Sequence, residues 1–158
     1  VAADASAAAI DVARHHAAQV ELEVDYRETT AEMLAANGEH FDVVVAMEIL
    51  EHVGDIDLFV ESLGSLITPG GILFAATLNR TLKAHVLAIV GAEWVLGWLP
   101  RGTHQWSKFL RPSEVARGFR RAGLELADVT GVSYHLITDG WRMGSDTDVN
   151  YLVFAVKR

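Results

Sequence analysis

The sequence predicts an α/β fold built on a largely parallel, doubly wound sheet. Three observations carry this. Strand-like apolar runs alternate with helix-period segments along most of the 158 residues. In the run Phe41-Asp42-Val43-Val44-Val45, Val43 to Val45 are β-branched and bounded by polar residues, the mark of a buried strand. Glycine-rich turns such as Pro69-Gly70-Gly71 separate the two patterns.

Taken in order, Val1-Ala2-Ala3-Asp4 reads as the end of a strand that closes on an acid. Ser6 is placed to cap a helix over 7–18, with Ile10, Ala13 and Ala17 as its apolar stripe. Residues 20–26 alternate Val, Leu, Val and Tyr with Glu and Asp, which predicts a half-buried strand. Thr30 caps a short helix to Ala36, and Asn37-Gly38 ends it. After the strand 41–46, Asp55 starts a helix in which Leu58, Phe59, Leu63 and Leu66 recur at helical spacing. Pro69-Gly70-Gly71 turns into a strand over 72–77. Pro112-Ser113-Glu114 opens another helix, with Val115, Phe119 and Ala122 on one face and Gly123 as its stop. Strands near 124–130 and 151–156 finish the chain. With no internal repeat and no low-complexity linker, residues 1–158 are expected to form a single domain.

Residues 81–104 break this rhythm. His85 to Leu99 is strongly apolar, yet it holds Glu93 and falls short of the roughly 20 residues of a bilayer span. Trp94 and Trp98 one turn apart, with Lys83 and Arg101 nearby, predict a membrane-interfacial helical insertion. A core helix or a substrate lid gives a similar pattern.

Composition narrows the classes. The chain has no cysteine, which excludes disulfides, thiol chemistry and Cys-based zinc sites. A formal charge of −8 argues against nucleic-acid binding, which needs cations to neutralise phosphates. The cations are nevertheless gathered: Arg80, Lys83, Arg101, Lys108, Arg111, Arg117, Arg120 and Arg121 stand in one stretch against Glu93 and Glu114. Such a segment in an acidic protein predicts a surface for an anionic partner.

The candidate chemistry sits in Ala46-Met47-Glu48-Ile49-Leu50-Glu51-His52. If the chain turns helical after residue 46, Glu48, Glu51 and His52 fall at i, i+3 and i+4 on one face. Two carboxylates and an imidazole at the carboxyl end of a strand suit a hard cation such as Mg²⁺. A solvated acidic turn with a surface histidine fits the spacing equally.

Set in order, these segments resemble the class I S-adenosylmethionine-dependent methyltransferases and, within them, the ubiquinone-biosynthesis O-methyltransferases. The residues that carry this are Met47-Glu48-Ile49-Leu50-Glu51-His52-Val53, Leu66-Ile67-Thr68-Pro69-Gly70-Gly71, Thr77-Leu78-Asn79-Arg80-Thr81 and Trp98-Leu99-Pro100-Arg101-Gly102-Thr103-His104. Trp106-Ser107-Lys108-Phe109-Leu110-Arg111-Pro112-Ser113-Glu114 and Asp148-Val149-Asn150-Tyr151-Leu152 add to them. The resemblance implies a Rossmann-like sheet with helices on both faces and strand order 3-2-1-4-5-7-6. It also implies that this chain lacks the first strand and its Gly-rich loop and is a fragment of a longer protein.

The same resemblance assigns roles. Asp4 would accept hydrogen bonds from the ribose hydroxyls of S-adenosylmethionine, as an acceptor-only carboxylate can. Met47 would line the cofactor pocket. Glu48, Glu51 and His52 would hold Mg²⁺ and carry catalysis, with His52 as an alternative general base. The implied substrate is a polyprenylated catechol or phenol of ubiquinone biosynthesis. The implied partners are an anionic membrane surface met through about 81–111 and a ubiquinone-biosynthesis complex. The location would be cytoplasmic, peripheral at the inner membrane of a bacterium, or the mitochondrial matrix face of a eukaryote. Two other classes stay open: a non-catalytic membrane-surface module with a degenerate Rossmann-like half, and a nicotinamide-dependent oxidoreductase, which shares an acid after its second strand.

Overall fold

The computed structural model of the chain describes residues 1–86, 105–135 and 140–158. Its strands are β1 (Ala2–Asp4), β2 (Tyr26–Glu28), β3 (Phe41–Met47), β4 (Ile67–Leu78), β5 (Leu124–His135), β6 (Gly140–Gly144) and β7 (Asn150–Lys157). Its helices are α1 (Ala7–Gln19), α2 (Ala31–Ala36), α3 (Ile56–Leu66), the single turn α4 (Leu82–Ala84) and α5 (Pro112–Arg121).

The helices start where the capping residues predict. Ser6 Oγ accepts from the Ala9 amide, Thr30 Oγ1 from Met33 and Asp55 Oδ1 from Leu58. Pro112 opens α5, where the Glu114 carboxylate accepts from the Arg111 amide at 2.8 Å. Two local expectations fail. The alternating stretch 20–25 is not strand, because α1 runs to Gln19 and Glu21 takes a positive φ of 54°. Only Tyr26–Glu28 pairs, so alternation there reflects a turn rather than a sheet. Leu58 is exposed, while Phe59, Val60, Leu63 and Leu66 form the buried stripe of α3.

The strands fall into two sheets. β1 and β2 pair in parallel as one, and the other has the order β3-β4-β7-β5-β6. Only β3 and β4 are parallel in the larger sheet; β4–β7, β7–β5 and β5–β6 are antiparallel. The expected largely parallel sheet is therefore corrected. β7 returns between β4 and β5 after the extra hairpin strand β6, which the sequence reading did not contain. Read outward from β2, the order β2-β1, then β3-β4-β7-β5, follows the expected 3-2-1-4-5-7-6 with an opening at position 1.

The core lies between α3, α5 and one face of the larger sheet. Phe119, Leu73, Ala75 and Ala155 are fully buried, and Leu63, Val115, Leu124, Tyr151 and Val153 are almost so. On the other face, Val43 and Val45 of β3 and Phe74 of β4 are exposed, and Phe74 stacks on Phe154 at 5.1 Å. Two close approaches fix the backbone. A Cβ on Gly71 would come within 2.8 Å of the Asp42 carbonyl, and one on Gly131 within 1.8 Å of the Asp146 carbonyl. Most of the apolar insertion expected at 81–104 lies outside the described residues. No helix among the described residues is long and apolar enough to cross a membrane.

Candidate functional site

The opening between β1 and β3, which falls at position 1 of the expected strand order, has a volume of about 850 Å³ within residues 1–158. Its walls are the β1 residues Ala2 to Asp4, the β3 residues Val43 to Met47, the His52 turn, and the inner side of α3 at Phe59 and Leu63. The cleft thus brings together Asp4, Met47 and His52, three of the five residues singled out from the sequence. Asp4 ends β1 and turns its Oδ1 onto the Ser6 amide at 2.7 Å, which fixes the carboxylate at the cleft mouth. Both strands reach this place with their carboxyl ends, where open α/β sheets bind ligands.

Glu48 and Glu51 lie elsewhere, at the carboxyl ends of β3 and β4. The expected helix after residue 46 does not form. Glu48 takes a φ of 51°, its amide donates to the Ala76 carbonyl at 3.0 Å, and His52 closes a turn onto the Ile49 carbonyl. Without the helix, the three side chains lose the shared face that i, i+3, i+4 spacing would give them. Among the described residues no three His, Cys, Asp or Glu side chains gather as a metal would need. The helical spacing expected for Glu48, Glu51 and His52 is therefore not formed: the backbone turn places His52 on the cleft wall, and the Glu48 and Glu51 carboxyls face each other.

That carboxyl pair has unusual electrostatics. Glu51 is only 3% exposed, and its Oε2 accepts from the Thr77 hydroxyl at 2.7 Å. Its Oε1 is also buried, and no backbone N–H and no Ser, Thr or Tyr hydroxyl reaches it. The Glu48 carboxyl is held against it. Burial, then the Glu51 charge and a hydrogen bond to Glu51, push the Glu48 pKa up to about 7. One proton shared between two carboxyls is the chemical result. Two carboxylates, one with an unmatched oxygen, also suit Mg²⁺, which commonly takes one or two protein carboxylates and completes its shell with water or substrate.

Sequence reasoning missed Thr77 and Tyr151. Both stood in blocks that marked the resemblance, but neither carried a chemical assignment. Thr77 faces Tyr151 across the β4–β7 ladder. The Tyr151 hydroxyl donates to the Leu110 carbonyl at 2.8 Å, and burial holds its pKa above the ordinary tyrosine value. It stays neutral and ties β7 to the start of α5.

The basic segment is already partly engaged. Lys83 Nζ lies 2.6 Å from Asp146 and 3.4 Å from Asp148, Arg80 pairs with Glu114, and Arg121 with Asp57. Asn79 Nδ2 donates to the Thr147 carbonyl at 2.8 Å. The Asp148 block thus ties the loop before β7 to the end of β4, a role its sequence did not reveal. Arg101, also counted among these cations, lies outside the described residues.

Relatives with this sequence pattern are known. Ubiquinone biosynthesis O-methyltransferases from Brucella ovis and Parvibaculum lavamentivorans are 56% and 57% identical over 155 residues, 98% of this chain. The chain spans 62% and 61% of their lengths. Among solved structures, an S-adenosylmethionine-dependent methyltransferase from Thermotoga maritima matches with a TM-score of 0.71 at 17% identity, over 99% of this chain and 72% of its own. The magnesium protoporphyrin IX methyltransferase from Synechocystis, solved with bound S-adenosylhomocysteine, matches with a TM-score of 0.68 at 18% identity, over 99% of this chain and 63% of its own. These two show the fold: a class I methyltransferase sheet. A family model described as a methyltransferase domain matches residues 1–129, and the chain belongs to that family.

Proposed function

We propose that this chain is the larger part of an S-adenosylmethionine-dependent O-methyltransferase of ubiquinone biosynthesis, acting on a polyprenylated catechol or phenol. The observation that carries this is the 55–57% identity to enzymes of that name over 98% of the chain. Identity at that level over 98% of the chain makes the same chemistry the economical reading.

The reaction moves a methyl group from a sulfonium to a phenolic oxygen. The sulfonium sulfur keeps the bonding pair and becomes a neutral thioether, the oxygen gains a C–O bond, and the phenolic proton must leave. Asp4 supplies an acceptor for the ribose diol of the donor, and Met47 an apolar wall beside it. His52, in the same cleft, takes the phenolic proton through an imidazole nitrogen that can accept it. Glu48 and Glu51 would hold Mg²⁺, which when bound supplies a Lewis acid for an oxygen ligand. What supports this is the unmatched Glu51 oxygen and the repulsion between the two carboxyls. A polyprenyl tail on the substrate is the reason to place the stretch 81–111 at an anionic membrane surface.

The donor half is tested on the protein by calorimetric titration with S-adenosylmethionine and its Asp4→Ala variant. Losing a charged acceptor for two hydroxyls costs roughly 1.5–3 kcal/mol, or about 10- to 100-fold in Kd. Unchanged binding in Asp4→Ala would remove Asp4 from the donor site.

A further inference from the structure

We infer that Thr77 is a positioning residue for a divalent cation, acting through Glu51. This rests on the reading of Glu48 and Glu51 as the cation's carboxylates. Thr77 is 1% exposed and stands one pair from the end of the β4–β7 ladder, a position where packing alone would accept valine. Its hydroxyl donates to Glu51 Oε2 at 2.7 Å. A buried hydroxyl needs a partner, and a buried carboxylate needs donors, so the two groups satisfy each other at no cost to the ladder.

The consequence is directional. Glu51 is 3% exposed and reaches the site from a turn rather than from a helix, so no regular backbone fixes its rotamer. With Oε2 tied to β4 by Thr77, Oε1 is the oxygen left over, buried and met by no backbone N–H and no Ser, Thr or Tyr hydroxyl. The same bond therefore removes a free torsion from the ligand and selects which oxygen the cation meets. Partners that orient a ligand from behind it typically alter metal affinity 10- to 100-fold when removed.

The test uses Mn²⁺ as probe, its binding to the protein followed by electron paramagnetic resonance. Wild type, Thr77→Ser and Thr77→Val are compared, with thermal melts alongside. Thr77→Ser keeps the hydroxyl and is expected to bind as wild type. Thr77→Val keeps the shape and is expected to bind roughly 10- to 100-fold more weakly. Should the valine variant fail to fold, Thr77→Cys replaces it, since a thiol is a weak donor in similar space, and the same loss is expected. Wild-type affinity in the valine or cysteine variant overturns this inference and leaves the carboxylate pair standing. Equal loss in the serine and valine variants also overturns it, because the methyl group would then be what matters. Absence of Mn²⁺ binding in the wild-type protein overturns the pair as a cation site, and this inference with it.

Discussion

Among the described residues, Glu48 carries a clear pH signature. Its carboxyl titrates at about 7 in the folded chain against an ordinary value of 4.5, chiefly because of burial and then because of Glu51. Between those values the folded state holds a proton that the unfolded state has released. Stability then falls as pH rises through that window and levels off above it. Thermal melts across the window should show this decline in the wild type and a flatter profile in Glu48→Gln, which keeps the shape without the charge. Equal slopes in the two proteins would mean that the carboxyls do not face each other as described. The residue types at this site were legible in the sequence, since acid, acid and imidazole announce themselves. Their grouping was not, because it depended on a helix that a single left-handed residue at 48 prevents. Thr77 was equally hidden: a threonine in an apolar strand shows its purpose only when its neighbour across the fold is known.

Among the elements, those with local signals were legible and those made by pairing were not. Ser6, Thr30, Asp55 and Pro112 mark helix starts through hydrogen bonds or ring geometry within a few residues, and each helix begins there. The stretch 20–25 has the alternation of a strand but no neighbour to pair with. β6 has two glycines, and its strand character comes from pairing with β5. The loop after β6 is held by contact rather than by its own sequence. Gly131 of β5 packs directly beneath the Asp146 carbonyl, and Asp146 in turn holds Lys83. Gly131→Ala must push this loop off the sheet, an overpacking effect of roughly 1–3 kcal/mol or more. Urea denaturation should show a lowered midpoint of that size, and an unchanged midpoint would mean that the loop yields freely.

For the whole molecule, alternation of strands and helices predicted the α/β class correctly and the strand directions only in part. Connection length explains the difference. The short hairpin from β5 to β6 and the return into β7 allow antiparallel pairing, whereas β3, α3 and β4 form a crossover that enforces parallel strands. Within residues 1–158, the two sheets beside the opening at β3 share no ladder. Two strands of three residues each, backed by α1, form one side, and a five-stranded sheet with a full core forms the other. A two-stranded sheet is marginal by itself. Backbone amides should accordingly report two local stabilities rather than one. In hydrogen–deuterium exchange, the amides of Ala2 and Thr29, which bond to Asp25 and Asp4, are expected to exchange through small openings. Those of β4 and β7 should exchange only on global unfolding, and equal protection on both sides would show that the sheets open as one. A molecule bound across the cleft would then declare itself by slowed exchange in β1, where there is protection still to be gained.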